Sequence, residues 1–557
     1  MQSVLSPAAR PRRRLPSLRA FALLAAALIA APLLSVAVSV LSPGTAGTWQ
    51  HLLATVLPDY VSATLWLCAG VALGVTALGV GAAWLVTRYR FTGSATFEWA
   101  LLLPLAMPAY VMAYAYTDLL QFVGPVQTWL RETFGWRRSD YWFPDVRSLG
   151  GAVAMFSLVL YPYVYMLART AFMERASGMI EVGRTLGLTP LQAFVRLSLP
   201  LARPAIAGGV ALALMETLAD YGTVSYFAVQ TFTTGIYRAW FSLGDRTAAA
   251  QLAMVLLGFV VLVLALERLS RGGSRFHDST LRSRGVLRVT LRGPRAALAW
   301  GACALPLVGG FLVPAGVMLH MALTDGDAQW GPRFIALARN SVLVAGTTAL
   351  LATLLALLIA YAARVDRSPA MRWAHRVAGL GYALPGSVIA VGVLIPVTRL
   401  DHALAALLRG AGVDAGLLLT GSIAALVYAC VVRYLTAALQ TMDAGLARIT
   451  PRMEQAARML GHTPAQTLWR VHLPLLRGSA LTAALLVFID VMKELPATLV
   501  MRPFNFDTLA TQAYTLASDE RLAEASTSAL AIVAVGLLPM VVLCRQIVRG
   551  SPGRAAE

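Results

Sequence analysis

Glu181-Val182-Gly183-Arg184-Thr185-Leu186-Gly187-Leu188-Thr189-Pro190-Leu191-Gln192 runs on to Arg196, Leu199, Pro200, Leu201 and Arg203. The pattern returns 274 residues later as Gln455-Ala456-Ala457-Arg458-Met459-Leu460-Gly461-His462-Thr463-Pro464-Ala465-Gln466, followed by Arg470, Leu473, Pro474, Leu475 and Arg477. Between 181 and 203, 11 of 23 positions match their partners. Chance does not supply this in polar segments, so the chain is an internal duplication. Each copy carries the same local signals. A helical stretch leads into Gly187 or Gly461, the residue type that accepts a left-handed C-terminal cap. Thr-Pro-x-Gln then forms a capping box: the Thr189 or Thr463 hydroxyl bonds the amide of Gln192 or Gln466, with Pro190 or Pro464 in the first helical position. The reading predicts a helix, a sharp turn and a short second helix ending near Pro200 or Pro474.

Outward from these elbows the chain is apolar. Of 557 residues, 58% are hydrophobic and 13% charged, and the mean hydropathy is +0.67, which excludes a soluble globular protein of this size. Stretches of about 20 apolar residues, the length that spans a bilayer, recur at 20–41, 61–86, 97–122, 149–172, 204–227, 247–267, 296–323, 340–363, 377–398, 420–442, 478–500 and 526–544. The expected fold is an all-α polytopic membrane protein, with about twelve transmembrane helices in two six-helix repeats. Each elbow falls between the fourth and fifth span of its six. An even number of crossings returns each half to the same side, so the halves are parallel about an axis along the membrane normal. Arg12, Arg13 and Arg14 precede the first span as in a signal peptide. Ala20 to Leu41 is long for a signal-peptide core and lacks a convincing cleavage site, so it reads as a retained anchor.

The net charge of +19 sorts by side of the membrane. With a cytoplasmic N-terminus, the inner loops carry 31 Arg and the outer loops 12. This is the bias that orients membrane proteins, and it explains the charge without nucleic acid. Both elbows and both termini are then cytoplasmic. The loop between the halves is richest, with Arg268, Arg271, Arg275, Arg282, Arg284, Arg288, Arg292 and Arg295. Cys68, Cys303, Cys430 and Cys544 fall in apolar spans as small core residues, and the seven histidines are scattered, so no metal site is expected. A phosphate-binding Walker loop needs Lys followed by Ser or Thr. The sole lysine, Lys493, precedes Glu494. No nucleophile, base and orienter stand together either, so the chain reads as a non-enzyme.

The same offset pairs Glu216 with Asp490, Asp220 with Glu494, and the helix breakers Gly222 with Pro496. Carboxylates four apart share a helix face, and each costs about 2.5–3.5 kcal/mol inside a bilayer, so each needs a partner or water. Two readings stand. These residues, with Lys493, line or gate a central pathway, or Asp490 and Lys493 pair at i,i+3 while the others hold helices together. Gly70 and Gly74 read as a close-packing pair. Pro104, Pro108 and Pro385 read as kinks.

The elbow resembles the EAA loop of binding-protein-dependent ABC transporter permeases of the type I importer class: Glu-Ala-Ala, a later Gly and a closing Leu-Pro. Here it reads Glu181-Val182-Gly183, Gly187 and Leu199-Pro200, then Gln455-Ala456-Ala457, Gly461 and Leu473-Pro474. Val182, Gly183 and Gln455 depart from the pattern, so the two copies need not make equal contacts. The resemblance implies that the helices starting at Thr189 and Thr463 are cytoplasmic coupling helices, one for each of two ABC ATPase subunits. Those subunits would carry ATP and Mg, with no cofactor bound by this chain. It also implies type-1 transmembrane domains at 61–267 and 339–545. Outside them lie 1–60 (tail, first span and outer loop), 268–338 (basic linker, seventh span and outer loop) and a cytoplasmic tail, 546–557.

Glu216-Thr217-Leu218-Ala219-Asp220-Tyr221-Gly222 through Trp240, and Asp490-Val491-Met492-Lys493-Glu494-Leu495-Pro496 through Ala510, are similar to the two halves of ferric-iron permeases. The implied role is import across a bacterial inner membrane of ferric iron delivered by a periplasmic ferric-iron-binding protein. Permeases for thiamine and other small solutes share much of this pattern. A secondary transporter of the major-facilitator kind also builds parallel six-plus-six repeats, but it would show an acidic, Arg-rich signature between the second and third spans. Only Thr87-Arg88-Tyr89-Arg90-Phe91 stands there.

Overall fold

The computed structural model describes residues 16–41, 46–185, 187–271, 288–324, 330–413 and 416–549. Ten helices among them are long and apolar enough to cross a membrane, and an eleventh span is a bent pair. The last apolar stretch, Leu522–Leu538, lies in the helix Leu522–Arg549. In the first half, Leu57–Arg88, Leu149–Thr185 and Leu199–Ala219 pack together; Pro332–Val365, Ala424–Ala447 and Leu473–Met492 repeat the arrangement in the second. Gly70 and Gly74 face Val153 and Ser157 of the neighbouring helix so closely that a Cβ would collide. Their spacing therefore serves packing, which in an apolar solvent must replace the hydrophobic drive.

The leading helix of each half crosses to the other. Pro16–Val40 lies against Pro369–Ala378 and Gly386–Gly410 of the second half, where the Tyr428 hydroxyl donates to the Leu28 carbonyl at 2.5 Å. Val313–Thr324 lies against Ala109–Leu120 of the first half as well as Leu522–Arg549. Just before it, the Gly309 carbonyl accepts from the Tyr116 hydroxyl at 2.6 Å. These hydrogen bonds are made in apolar surroundings where water does not compete, and they strap the halves together.

Three expectations are corrected. The third span is not one kinked helix: Ser94–Ala106 and Ala109–Phe134 meet at 92°. Pro108 and Pro385 are N-caps of Ala109–Leu120 and Gly386–Gly410, and Pro104 lies in the 3₁₀ turn Leu103–Ala106. Lacking an N–H, proline costs least where a helix begins, so these residues start helices rather than bend them. The fifth and eleventh spans stop at Ala219 and Met492, short of the expected 227 and 500. The described residues also include a two-stranded parallel ribbon, Tyr89–Arg90 with Val289–Thr290. Beside it, Arg288 from the linker and Arg169 both bind Glu98, at 2.6 and 3.2 Å. Arg275, Arg282 and Arg284 lie outside the described residues, as do the side chains of Arg271 and Cys544. Cys303 and Cys430 are buried and Cys68 half-buried.

Candidate functional site

Both elbows form as the capping signals dictate. Gly187 and Gly461 take φ of +79° and +82°, a conformation that a Cβ would strain. The Thr189 N–H donates to Gln192 Oε1 at 3.0 Å, and the Gln192 N–H returns to Thr189 Oγ1 at 3.3 Å. Thr463 and Gln466 repeat this at 2.9 and 3.3 Å, with Pro190 and Pro464 opening the helices. The side chains of Glu181 and Pro190 lie outside the described ones, whereas that of Gln455 is exposed. The second helix does not stop near Pro200 or Pro474, as expected. It passes through a π-turn, Phe194–Ser198 or Leu468–His472, straight into the long helix beyond. The wider turn accommodates a proline that lacks the donor for an i−4 bond and whose ring would crowd that carbonyl. Elbow and membrane helix are thus one continuous run, Leu191–Ala219 and Pro464–Met492. Leu191 is 71% and Trp469 67% exposed, leaving apolar surface uncovered on both elbows. The second elbow is also braced from its own bundle. The Tyr361 hydroxyl donates to the Pro464 carbonyl at 2.7 Å, and Arg364 binds Glu454 and the carbonyls of Leu446 and Ile449.

The far ends of these runs meet at the boundary between halves. After Ala219 the backbone turns extended at Asp220 and restarts as the short helix Gly222–Tyr226; after Met492 it restarts as Pro496–Met501. A break here frees backbone groups that lipid cannot satisfy. Asp220 accepts from the N–H groups of Thr223 (2.9 Å) and Val224 (3.3 Å) and from the Thr223 hydroxyl (3.2 Å). Glu494 Oε1 accepts from the Ala497 N–H at 2.9 Å. Each acid caps the helix that follows it. Glu494 is longer by one methylene, and its Oε2 also takes Arg433 at 2.8 Å and the Tyr434 hydroxyl. Asp490 pairs with Lys493 at 2.9 Å. Glu216 lies against Tyr382, whose hydroxyl is 3.4 Å from that of Tyr163.

Glu216, Asp220, Gly222, Lys493, Glu494 and Pro496 line one cavity of about 90 Å³, drawn from both halves. Asp490 stands behind Lys493 rather than on the wall. The two sequence readings therefore divide by residue: the Asp490–Lys493 pair forms, yet most of the group shares a cavity. The space admits only a few waters, so this conformation is closed at that level. Closure is tight because a Cβ on Gly222 would stand 2.8 Å from both Leu495 Cδ2 and Tyr110 Cβ. The Tyr237 hydroxyl reaches across to the Pro496 carbonyl, and Ser225 Oγ lies 3.0 Å from the Tyr514 hydroxyl. Sequence reasoning missed Arg433 and these tyrosines. Arg433 was findable, being one of two arginines inside the expected spans, where an unpaired guanidinium is too costly to stand alone. The tyrosines carried no periodic signal.

Two duplicated bundles, joined at capped helix breaks and each ending in an exposed elbow, define a multi-pass membrane transport subunit. The chain belongs to the family of binding-protein-dependent transport system inner membrane components, whose profile matches residues 75–272 and again 352–550. It is therefore a permease of the ABC importer class in the inner membrane. Among individual proteins it is similar to the Fe(3+)-transport system permease protein FbpB 2 of Haemophilus influenzae. The two are 27% identical over 491 residues, covering 87% of this chain and 90% of that one. The ferric transport system permease protein FbpB of Actinobacillus pleuropneumoniae is 23% identical, over 82% of this chain and 66% of its own length. The sulfate transport system permease protein CysT of Escherichia coli is 32% identical over 150 residues, 27% of this chain and 51% of the relative.

Proposed function

We propose that this chain is the permease subunit of a ferric-iron importer, with its elbows in the cytoplasm and both termini on that side. Two separate ABC ATPases, which carry ATP and Mg, dock on the elbows opened by Thr189 and Thr463. A periplasmic ferric-binding protein delivers cargo to the opposite face. The observation that carries the substrate is the end-to-end similarity to a ferric permease, whereas the sulfate permease matches only a segment. The geometry supports the coupling. Force applied at an elbow passes through its π-turn along one continuous helical run to the breaks at Asp220 and Glu494. Glu216, Asp220, Gly222, Lys493, Glu494 and Pro496 then form the closed gate, with Asp490 positioning Lys493. Selection rests with the binding protein, so the gate needs no iron-ligand cluster.

The test is radioactive iron uptake in a strain lacking its own ferric permease, with this chain supplied beside its ATPase and binding protein. ATP-dependent iron accumulation that is lost on deleting 187–193 and 461–467 is the expected result. Accumulation of thiamine, sulfate or molybdate without iron would overturn the substrate. Uptake that survives both deletions would overturn the coupling role.

A further inference from the structure

On the face opposite the elbows, the first half carries a projection. Ala109–Leu120 leads away from the cavity level, and Pro125–Phe134 follows it after a break at 121–124. Between them and the start of Leu149–Thr185 lies a second cavity of about 430 Å³. Its frame is internally satisfied: Gln127 Nε2 donates to the Leu120 carbonyl at 2.8 Å, and the Tyr141 hydroxyl to Gln127 Oε1 at 2.8 Å. Phe122, Tyr141 and Trp142 line it together with Arg138 and Arg147. Its one acid, Asp145, spends Oδ1 on the Arg147 N–H at 3.0 Å. Among the described residues no carboxylate pairs with Arg138, which lies over the Phe122 ring at 5.2 Å. Trp142 is 86% exposed. Aromatic surface held out in water beside an unneutralised cation marks a contact for another protein.

Arg147 connects this vestibule to the gate. Its Nη2 donates to the Tyr226 hydroxyl at 3.2 Å, and its Nη1 lies 3.9 Å from Glu520 of the second half, a residue 80% exposed. Tyr226 ends the short helix that Asp220 caps. At that distance and exposure the Glu520 pair is weak, so an incoming carboxylate can displace it.

We propose that the vestibule seats an acidic side chain from one lobe of the periplasmic binding protein, and that its arrival transfers Arg147 from Glu520 to the incoming carboxylate. The occupant follows from charge complementarity, and its identity rests on the proposed function. Docking thereby loosens a tie between the halves one short helix away from the gate. The corresponding loop of the second half is built differently: Asp401 draws in the N–H groups of Leu418, Leu419 and Thr420 at 2.8–3.0 Å.

The test measures affinity of the iron-loaded periplasmic binding protein for the full permease–ATPase complex in nanodiscs, at low and at physiological salt. Arg138→Glu sets like charges together and should weaken association about tenfold or more, while Arg138→Lys recovers most of it. Glu520→Gln should tighten association a few-fold by freeing Arg147, and association of the native complex should fall as salt rises. Monodisperse complexes retaining their ATPases verify that each variant folds. If the native complex binds and Arg138→Glu binds equally well, the vestibule is not the seat and the importer assignment stands. If Glu520→Gln leaves affinity unchanged, the transfer of Arg147 is wrong. A native complex that does not bind the protein at all overturns both this inference and the proposed function.

Discussion

Replacing Glu494 separates two jobs that one carboxylate performs. Its Oε1 caps Pro496–Met501 through the Ala497 N–H, and its Oε2 holds Arg433 at 2.8 Å, with both side chains less than 10% exposed. Glu494→Gln keeps an oxygen for the cap but removes the charge, leaving Arg433 buried and unpaired, which costs about 3–5 kcal/mol. Glu494→Ala loses the cap as well and should cost about 1 kcal/mol more. Arg433→Leu strands the carboxylate at a similar cost. The double variant Arg433→Leu/Glu494→Gln removes both charges and retains the cap acceptor, so it should be more stable than either single variant. The assay is the melting midpoint of the detergent-purified chain, followed by the loss of monodisperse protein on heating. A double variant that is less stable than both singles, with additive losses, would show that the two groups do not depend on each other and would refute this account.

Gly222→Ala places a methyl 2.8 Å from Leu495 and Tyr110. Such overpacking costs about 1–3 kcal/mol, read as a lower melting midpoint and a longer spin-label distance between the halves. Glu216 has no ion pair among the described residues and lies against Tyr382, so Glu216→Gln should reduce iron uptake without reducing assembly of the complex; normal uptake would remove it from the pathway. Thr463→Ala deletes one side of a capping box at a local cost of about 0.5–2 kcal/mol. It should lower the ATPase retained on affinity-purified permease, and equal retention would detach the cap from docking.

The elements legible in the sequence were those set by local rules. The elbows form because Gly187, Thr189 and Gln192 satisfy backbone groups within a few residues, and their repetition at Gly461, Thr463 and Gln466 exposed the duplication. Hydropathy located the spans, but a bilayer-length window cannot see that Asp220 and Glu494 end two helices early, because the residues beyond remain apolar. Proline was misread for a related reason. Whether it kinks a helix or starts one depends on the backbone before it, and Pro108 and Pro385 both follow extended or turning segments. The cross-half contacts of Arg147, Tyr237 and Tyr514 join residues hundreds of positions apart and leave no periodic trace.

The duplication preserved the capped break while its two copies diverged in chemistry. At the 274-residue offset, Ala219 faces Lys493, Asp220 faces Glu494 and Gly222 faces Pro496. The Asp220 carboxylate bonds the helix it caps, whereas the extra methylene of Glu494 lets it bind both its helix and Arg433. The second break is thus fixed by two ion pairs, Glu494–Arg433 and Asp490–Lys493. The first is fixed by hydrogen bonds within its own turn and by the absence of a side chain at Gly222, which lets Leu495 close against it. Both pairs lie within the second half, and breaking the buried Glu494–Arg433 pair would cost several kcal/mol, so the second break holds together as a unit. To part from that unit, the first half must withdraw Gly222 from Leu495 and release the hydrogen bonds of Ser225 to Tyr514 and of Tyr237 to the Pro496 carbonyl. Opening at the junction therefore breaks packing and hydrogen bonds between the halves while both ion pairs stay whole.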